Sequence, residues 1–372
     1  MLPALHEKKK ILLGCLLLLL LLAMVLQPAL AYQAAGKGLQ LWWKVVAPAL
    51  LPFFIISELL LELGVVSYLG PFLSRIMRPL FNLPGSGALA VAMGFCSGFP
   101  SGSAITAGLW MEKTVTTAQG ERLIAFTNNA GPLYITVSVA TGLLGWPGAA
   151  LVLVLSHYGA DLLLGVALGF WSRLRGEQIV GGSSHPGESV QLYTELSFGS
   201  RLRNAAQRAS GNILLIGCYM VFFSVLTALL AAVLPPLPPL LHSWLLGVFE
   251  MSLGVDLLAQ SGLPLSQILP WTAAMVSFGG LSVQAQVLAM IAGTEIRPRL
   301  YLLCRPLQAG LAFLLAWLLC RVLVVPTATF SISVQPRPLS LLAASSLLAL
   351  SVTGALLGLA LWYRRKDNRL RT

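Results

Sequence analysis

Charged residues are scarce in this chain, and their scarcity indicates its broad class. Only 10% of the 372 residues are Asp, Glu, Lys or Arg, while 57% are hydrophobic and the mean hydropathy is +0.82. Soluble domains carry about 25% charged residues, whereas apolar runs of about 20 residues predict helices that cross a bilayer. The sequence therefore predicts an all-α polytopic membrane protein that has the lipid bilayer as a partner.

Acidic residues, clustered cysteines and hydrolase motifs are also missing or few. The chain has 24 basic and 13 acidic residues, but the basic ones lie mostly at the ends of apolar runs, as cytoplasmic loops require, so we expect no nucleic-acid partner. Its five cysteines are scattered without C-x-x-C spacing, so we expect no metal site, cofactor or disulfide framework. Because neither G-x-S-x-G nor H-E-x-x-H occurs, we expect no enzyme.

Small, polar and helix-breaking residues are concentrated in two stretches of otherwise apolar sequence. Gly94–Thr106 reads GFCSGFPSGSAIT, and Phe126–Leu133 reads FTNNAGPL. Gly and Pro interrupt helices, and in a membrane a broken backbone persists only within protein or along a wet cavity. Paired broken segments are a pointer to the binding site of a transporter. The alternative is a set of kinks with small residues for close helix packing.

The apolar runs predict about eight transmembrane helices plus two re-entrant helical hairpins. The hairpins are expected over residues 85–110 and 265–292. The spans are expected over residues 11–26, 41–63, 123–144, 149–171, 212–234, 240–259, 300–325 and 341–363. We interpret residues 11–26 as a retained span, although basic residues before it and a small-residue motif after it also fit a cleaved signal sequence. An amphipathic helix at the membrane surface is expected over residues 65–83.

The order of features predicts a two-fold internal repeat. Ala92–Ser101 aligns without gaps with Ala274–Val283, and the break at Asn128–Asn129 has a counterpart at Arg305–Pro306. Duplicated halves with broken segments are the pattern of secondary transporters. The basic segments predict that both termini are cytoplasmic and that the halves are parallel, but inverted halves remain open. The predicted domains are an N-terminal span or signal anchor at 1–39, a first repeat at 40–175, a cytoplasmic basic loop at 176–210, a second repeat at 211–325, and a last span with a basic tail at 326–372.

Two acidic residues lie within apolar helices upstream of the predicted hairpins. Glu58 and Glu250 are interpreted as coupling or structural acids, since intramembrane acids are costly and usually functional. Glu62 is expected nearer the membrane interface. His157 and Asp161 are four residues apart and so able to pair on one helix face, and we favour a structural hydrogen bond over a proton relay.

Three motifs carry a resemblance to a known family. They are Met93–Gly102 (MGFCSGFPSG), the stretch from Glu121 to Leu133, and Phe278–Gln286 (FGGLSVQAQ). Through them, over about residues 40–325, the chain resembles the YlbJ (stage V sporulation protein V) family of sporulation integral membrane proteins. Cys96 and Ser101 depart from the pattern expected of that family.

The resemblance implies a fold, a function and a location. It implies two gate repeats of the nucleoside-recognition type, related to concentrative nucleoside transporters. It also implies that this multi-pass protein of the bacterial cell membrane acts in endospore formation. There it would move dipicolinate from the mother cell across the outer forespore membrane. A non-transporting membrane scaffold for spore-envelope assembly and a nucleoside-type transporter are the alternatives, and a homo-oligomer remains open.

The polar residues of the broken segments are candidate ligands for such a small anionic substrate. Dipicolinate is a planar dianion, and anions suit the N-terminal ends of half-helices. The candidates for substrate binding are Ser97, Ser101, Ser103, Asn128, Asn129, Ser282, Gln284 and Gln286. Arg305 is the strongest single candidate, because a guanidinium binds a carboxylate bidentately and because Pro306 predicts an open helix beside it. A structural pair between Arg305 and Glu250 or Glu58 is the alternative.

Overall fold

The computed structural model of the chain describes residues 2–62, 75–111, 113–177 and 197–323. All the secondary structure in these ranges is helical, and no strand occurs in them. The prediction of an all-α polytopic membrane protein is therefore confirmed. The predicted span at 341–363, most of the basic loop at 176–210 and the first part of the amphipathic helix at 65–83 lie outside the described residues.

Fourteen helices and two π-helical segments make up the described part of the chain. The fourth helix, α4, takes in residues 75–81, and the π-helical segments are Trp42–Val46 and Tyr134–Leu143. The other helices are α1 (Leu2–Leu26), α2 (Pro28–Leu41), α3 (Ala47–Glu62), α5 (Gly87–Ser97), α6 (Ser101–Met111), α7 (Thr117–Thr127), α8 (Ala149–Leu174), α9 (Phe198–Val233), α10 (Pro239–Phe249), α11 (Met251–Ala259), α12 (Leu265–Phe278), α13 (Gly280–Met290) and α14 (Arg299–Val322).

Four helical segments within the described residues are long and apolar enough to cross a membrane. They are Ala149–Leu174, Phe198–Val233, Leu265–Met290 and Arg299–Val322. A fifth candidate is the pair Gly14–Leu26 and Pro28–Val46, whose helices meet at 102°. The described residues thus contain four or five candidate spans, and the total of about eight for the whole chain stays a prediction.

Helices α5 and α6 form a hairpin where the sequence predicts one. A Cβ atom on Gly94 would lie 1.8 Å from the carbonyl oxygen of Thr127, and one on Gly102 would lie 2.3 Å from the same atom. In one straight helix, residues eight apart are separated by about 12 Å. The chain therefore reverses between them, at Gly98–Pro100, and the hairpin packs against the C-terminal end of α7.

A second hairpin is formed by α10 and α11, where the sequence predicts a span. A Cβ atom on Gly254 would lie 2.3 Å from the Cα atom of Gly247, whereas seven residues of straight helix cover about 10 Å. The chain reverses at Glu250, whose backbone is extended (φ −141°, ψ 108°). Residues 265–292, predicted as a hairpin, instead contain the 26-residue candidate span Leu265–Met290, interrupted at Gly279.

The prediction that residues 240–259 cross the membrane and residues 265–292 turn back is therefore wrong. Each stretch is apolar with one break, and hydropathy does not show whether the chain reverses at that break. The glycine-rich break at Gly279, with φ of +81°, leaves α12 and α13 within one span. The break at Glu250 carries no glycine, but flanking glycines let its two helices pack closely.

The corrected position of the second hairpin also changes how the two internal repeats align. A hairpin, an interrupted helical segment and a long helix occur twice: first α5–α6, residues 117–143 and α8, then α10–α11, α12–α13 and α14. The alignment of Ala92–Ser101 with Ala274–Val283 consequently pairs a hairpin tip with a span break. The break at 128–131 corresponds to Gly279, and α14 corresponds to α8. The candidate spans α8 and α9 lie between the two hairpins, and the sequence predicts a further span over residues 123–144. With three crossings between the hairpins, this order predicts inverted repeats rather than parallel ones.

Cysteine labelling from either side of the membrane tests this topology. In a background without the five native cysteines, we expect Pro236→Cys and Gln260→Cys, which flank the second hairpin, to react from the same side. We expect Ala118→Cys, next to the first hairpin, to react from the opposite side. A membrane-impermeant maleimide applied to sealed vesicles of each orientation gives the measurement. If Pro236→Cys and Gln260→Cys react from opposite sides, residues 240–259 cross the membrane and the inverted order is wrong.

Candidate functional site

Both hairpin tips and both span breaks meet around one cavity. Its volume is about 50 Å³, below the range of about 300–1,000 Å³ that is usual for ligand sites, so the cavity has to widen before it can hold a solute. Its polar lining residues are Ser97, Tyr134, Glu250, Ser252, Ser282 and Gln286. Its apolar lining residues are Val46, Phe54, Phe99, Ala130, Ile216, Met220, Met251 and Val283, with Gly131 completing the wall. Helices α3 and α9 thus close the side of the cavity that the repeats leave open.

Glycines at the tips and breaks allow this close approach. A Cβ atom on Gly98 would lie 2.4 Å from the backbone nitrogen of Gly131. A Cβ atom on Gly280, whose φ is +65°, would lie 3.1 Å from the backbone nitrogen of Met251. Each hairpin tip therefore packs backbone to backbone against the break that follows it, with no room for a side chain at Gly98 and only a tight fit for one at Gly280.

Glu250 links the second hairpin to the second broken span. Only 3% of it is exposed, and its Oε1 atom accepts a hydrogen bond from the backbone N–H of Ser252 (2.8 Å) at the start of α11. Its Oε2 atom accepts a bond from the Ser282 hydroxyl (2.6 Å). The Ser252 hydroxyl lies 2.7 Å from the Tyr134 hydroxyl, so this cluster also reaches the first broken span. Among the described residues, no cation forms an ion pair with Glu250.

Several helices begin beside the cavity. Helix α6 starts at Ser101, α11 at Met251 and α13 at Gly280, and a helical turn follows the first break at Pro132. A helix N-terminus carries a positive partial charge and attracts anions. The carboxylate of Glu250 already occupies the N-terminus of α11. The electrostatics of the cavity are therefore mixed, with helix N-termini that favour an anion and one carboxylate that opposes it.

Three of the nine predicted substrate-binding residues line the cavity, namely Ser97, Ser282 and Gln286. Ser103 and Asn128 instead join the first hairpin to the first break, since the Asn128 Oδ1 atom accepts from the backbone N–H of Ser103 (3.0 Å). The Asn128 Nδ2 atom donates to the carbonyl of Ile124 (2.8 Å). These two residues therefore hold the walls of the cavity together.

The remaining polar candidates lie close to the cavity without lining it. Ser101 is half-buried at the start of α6, and the Gln284 side chain is 3.4 Å from the carbonyl of Phe278. Asn129 is completely buried, and neither polar atom of its side chain has a hydrogen-bond partner among the described residues. Its orientation toward the substrate stays a prediction.

Arg305 is completely buried behind the two breaks and does not line the cavity. Its guanidinium donates to the backbone carbonyls of Ala125 (2.6 Å), Asn128 (3.0 Å) and Ser277 (3.4 Å). Its expected carboxylate partners lie elsewhere, because Glu250 is bound by serines and Glu58 pairs with Arg208 at 2.7 Å. Helix α14 also continues through Pro306, so the predicted opening of the helix at Arg305 is not observed.

His157 and Asp161 lie in a buried network, but the predicted hydrogen bond between them is not observed. The Nε2 atom of His157 is 3.5 Å from the Asp161 Oδ2 atom, which has no hydrogen-bond partner among the described residues, and Nε2 instead accepts from the backbone N–H of Ala130 (3.0 Å). Its Nδ1 atom is 2.7 Å from the Ser277 hydroxyl, and Asp161 accepts from the amide of Gln308. The network connects the first break to the second through α8 and α14.

Comparison with known proteins supports the resemblance seen in the sequence. The Gate family, described as nucleoside recognition, matches residues 43–119, which include the first hairpin. A curated relative, the sporulation integral membrane protein YlbJ of Bacillus subtilis (strain 168), is 32% identical over 335 residues, covering 83% of this chain and 82% of the relative. The chain belongs to the YlbJ family. No solved structure matches it at a significant level.

Membership of the YlbJ family fits an integral membrane protein that carries a nucleoside-recognition domain. Sequence reasoning nevertheless missed several residues of the cavity. Tyr134 lies directly after the FTNNAGPL motif, and Ser252 lies two residues after an acid that caps a helix, a spacing typical of N-terminal capping. Ile216 and Met220 fall within the second repeat predicted at 211–325, but in the structure they belong to α9, between the two repeated units, and no pattern in the sequence assigns them to the site.

Proposed function

We propose that this protein is a membrane transporter that carries a small solute through the cavity between the hairpin tips and the span breaks. The observation that carries the proposal is the meeting of four broken or reversing backbone segments around one cavity, mostly apolar but with six polar lining residues, in an apolar helical protein. Broken backbone at membrane depth is tolerated where it lines a cavity. Transporters place their sites at such breaks, at the interface of two repeats. A scaffold for spore-envelope assembly requires none of these features.

The substrate that we propose is a small planar anion, with dipicolinate carried across the outer forespore membrane during sporulation as the specific candidate. Helix N-termini around the cavity favour an anion, and the aromatic residues Phe54, Phe99 and Tyr134 among its lining could pack against a planar ring. The sporulation role follows from membership of the YlbJ family.

A nucleoside is the second candidate substrate, and two observations favour it. The family that matches residues 43–119 is described as nucleoside recognition. The Glu250 carboxylate in the cavity is an acceptor that suits the hydroxyl groups of a neutral ribose better than it suits a dianion. The two candidates therefore differ in how they use the one acidic side chain that lines the cavity among the described residues.

Uptake into proteoliposomes tests the proposal. We expect saturable uptake of radiolabelled dipicolinate, measured against uridine as the nucleoside probe and against protein-free liposomes as the control. Excess unlabelled dipicolinate should compete, while uridine should not. Saturable uptake of uridine alone would replace the anion by a nucleoside. If neither solute enters faster than in protein-free liposomes, the transporter proposal fails for both candidates and the scaffold alternative gains.

A further inference from the structure

The two breaks depend on side chains from outside the cavity for their hydrogen bonds. Residues 128–131 leave the helix, and unsatisfied backbone groups cost several kcal/mol in a membrane interior. The carbonyl of Asn128 accepts from Arg305, and the N–H of Ala130 donates to His157. The carbonyl of Ala130 accepts from the Tyr158 hydroxyl (2.9 Å). Side chains of α8 and α14 thus replace the helical hydrogen bonds that the first break lacks.

The same side chains hold the second break. The backbone carbonyl of Ser277, at the end of α12, accepts from the same Arg305 Nη1 atom that binds the carbonyl of Asn128. The hydroxyl of Ser277 contacts His157. The last carbonyls of a helix lack partners within the helix and carry a negative partial charge. One guanidinium therefore lies at the C-terminal ends of two half-helices, α7 and α12, that belong to different repeats.

We propose that Arg305 is a positioning residue of the transport site, whose guanidinium caps α7 and α12 and so fixes the distance between the two breaks. This inference rests on the proposed function and deepens it. Ala130 and Gly131 line the cavity directly after the first cap, and Ser282 and Val283 line it shortly after the second. A change in the distance between the ends of α7 and α12 would therefore also move these residues on both walls of the cavity.

The geometry favours this role over substrate binding. Arg305 has no exposed surface, and its planar group lies 4.8 Å from the ring of Tyr301. Its Nη1 and Nη2 atoms are both engaged by carbonyls, which leaves only its Nε atom without a hydrogen-bond partner among the described residues. The two nitrogens reach carbonyls of α7 that are three residues apart, Ala125 and Asn128. A lysine offers one nitrogen and lacks this planar fork.

Two substitutions of Arg305 and one matched control test the proposal. Arg305→Lys keeps the charge and loses the fork, and Arg305→Gln loses both. Arg122→Gln removes another buried arginine of the described residues, one that donates to the carbonyl of Asn82 and pairs with Glu177 away from the cavity. Each is combined with the reporter Val283→Cys in a background without other cysteines. The measurements are the amount of monodisperse inserted protein, the labelling rate of the reporter with a maleimide, and the uptake of dipicolinate and uridine.

We expect Arg305→Lys to insert like the parent protein but to label at a different rate at Val283→Cys. We also expect its apparent affinity for the transported probe to fall at least about ten-fold, which corresponds to about 1.4 kcal/mol. Arg305→Gln should show a larger change, and Arg122→Gln should match the parent in labelling and affinity. Labelling does not depend on transport, so failure of the parent protein to take up either probe contradicts the proposed function and leaves the labelling test intact.

Three outcomes would overturn the positioning role. The first is parental labelling and affinity in well-inserted Arg305→Lys and Arg305→Gln. The second is an equal change in Arg122→Gln, since the effect would then be general to buried arginines. The third is a failure of both Arg305 variants to insert, because Arg305 would then act in folding and not in positioning the breaks.

Discussion

Gly94→Ala is expected to remove most of the folded, membrane-inserted protein, whereas Gly108→Ala in the same hairpin is expected to leave it unchanged. A Cβ atom on Gly94 would lie 1.8 Å from the carbonyl oxygen of Thr127, but one on Gly108 would have no atom within 4 Å. The obstructing atom is backbone at the end of α7, so no change of rotamer relieves the clash. Overpacking a tight core usually destabilises a protein by about 1–3 kcal/mol. We expect Gly94→Ala to cost more than this, because the clash is very short and is with backbone.

The comparison within one hairpin controls for helix propensity. Alanine is favoured over glycine in a helix by about 1 kcal/mol, so Gly108→Ala should be neutral or slightly stabilising. Gly102→Ala, whose Cβ atom would lie 2.3 Å from the same oxygen, should resemble Gly94→Ala. The measurement is the monodisperse peak of a fluorescent fusion in size-exclusion chromatography, followed by its thermal stability. Wild-type amounts and stability of Gly94→Ala would show that the hairpin does not pack against α7 in this way.

The first hairpin could be predicted from sequence because its signals are local. Gly98 and Pro100 interrupt the helix by their own backbone chemistry, and the Asn-Asn-Ala-Gly-Pro break has the same property. The second hairpin could not be predicted, because the break at Glu250 has no such residues. Its reversal depends on the approach of Gly247 to Gly254, a contact between helices that composition does not encode. Whether an interrupted apolar run reverses or continues is thus a tertiary property.

The candidate site was predictable in residue type but less so in role. Ser97, Ser282 and Gln286 line the cavity, while Asn128 and Arg305 hold backbone groups at the breaks. Amides, hydroxyls and guanidinium groups serve equally well as ligands and as caps for interrupted helices, so the sequence contains no signal that separates the two uses. The separation depends on which side of the break each side chain faces.

Glu250→Gln is expected to change transport strongly, whereas Glu58→Gln is expected to change it little. Glu58 pairs with Arg208, with the Glu58 side chain 14% and the Arg208 side chain 48% exposed, and Glu58 does not line the cavity. Glu250 lies in the cavity and has no cation partner among the described residues. Glutamine has nearly the same shape and keeps one oxygen acceptor for the N–H of Ser252. Both variants should therefore insert in normal amounts.

The direction of the Glu250→Gln effect distinguishes the two candidate substrates. At an effective dielectric constant of about 20, unit charges about 4–8 Å apart interact by about 2–4 kcal/mol, which exceeds a ten-fold change in affinity. If dipicolinate is the substrate, loss of the carboxylate removes a repulsion and its apparent affinity should rise. If a nucleoside is the substrate, loss of a charged acceptor for its hydroxyl groups should lower the apparent affinity for uridine. Concentration-dependent uptake of dipicolinate and uridine by the parent and the two variants decides between the two substrates. If Glu250→Gln matches the parent for both probes while Glu58→Gln is impaired, Glu250 is not part of the site.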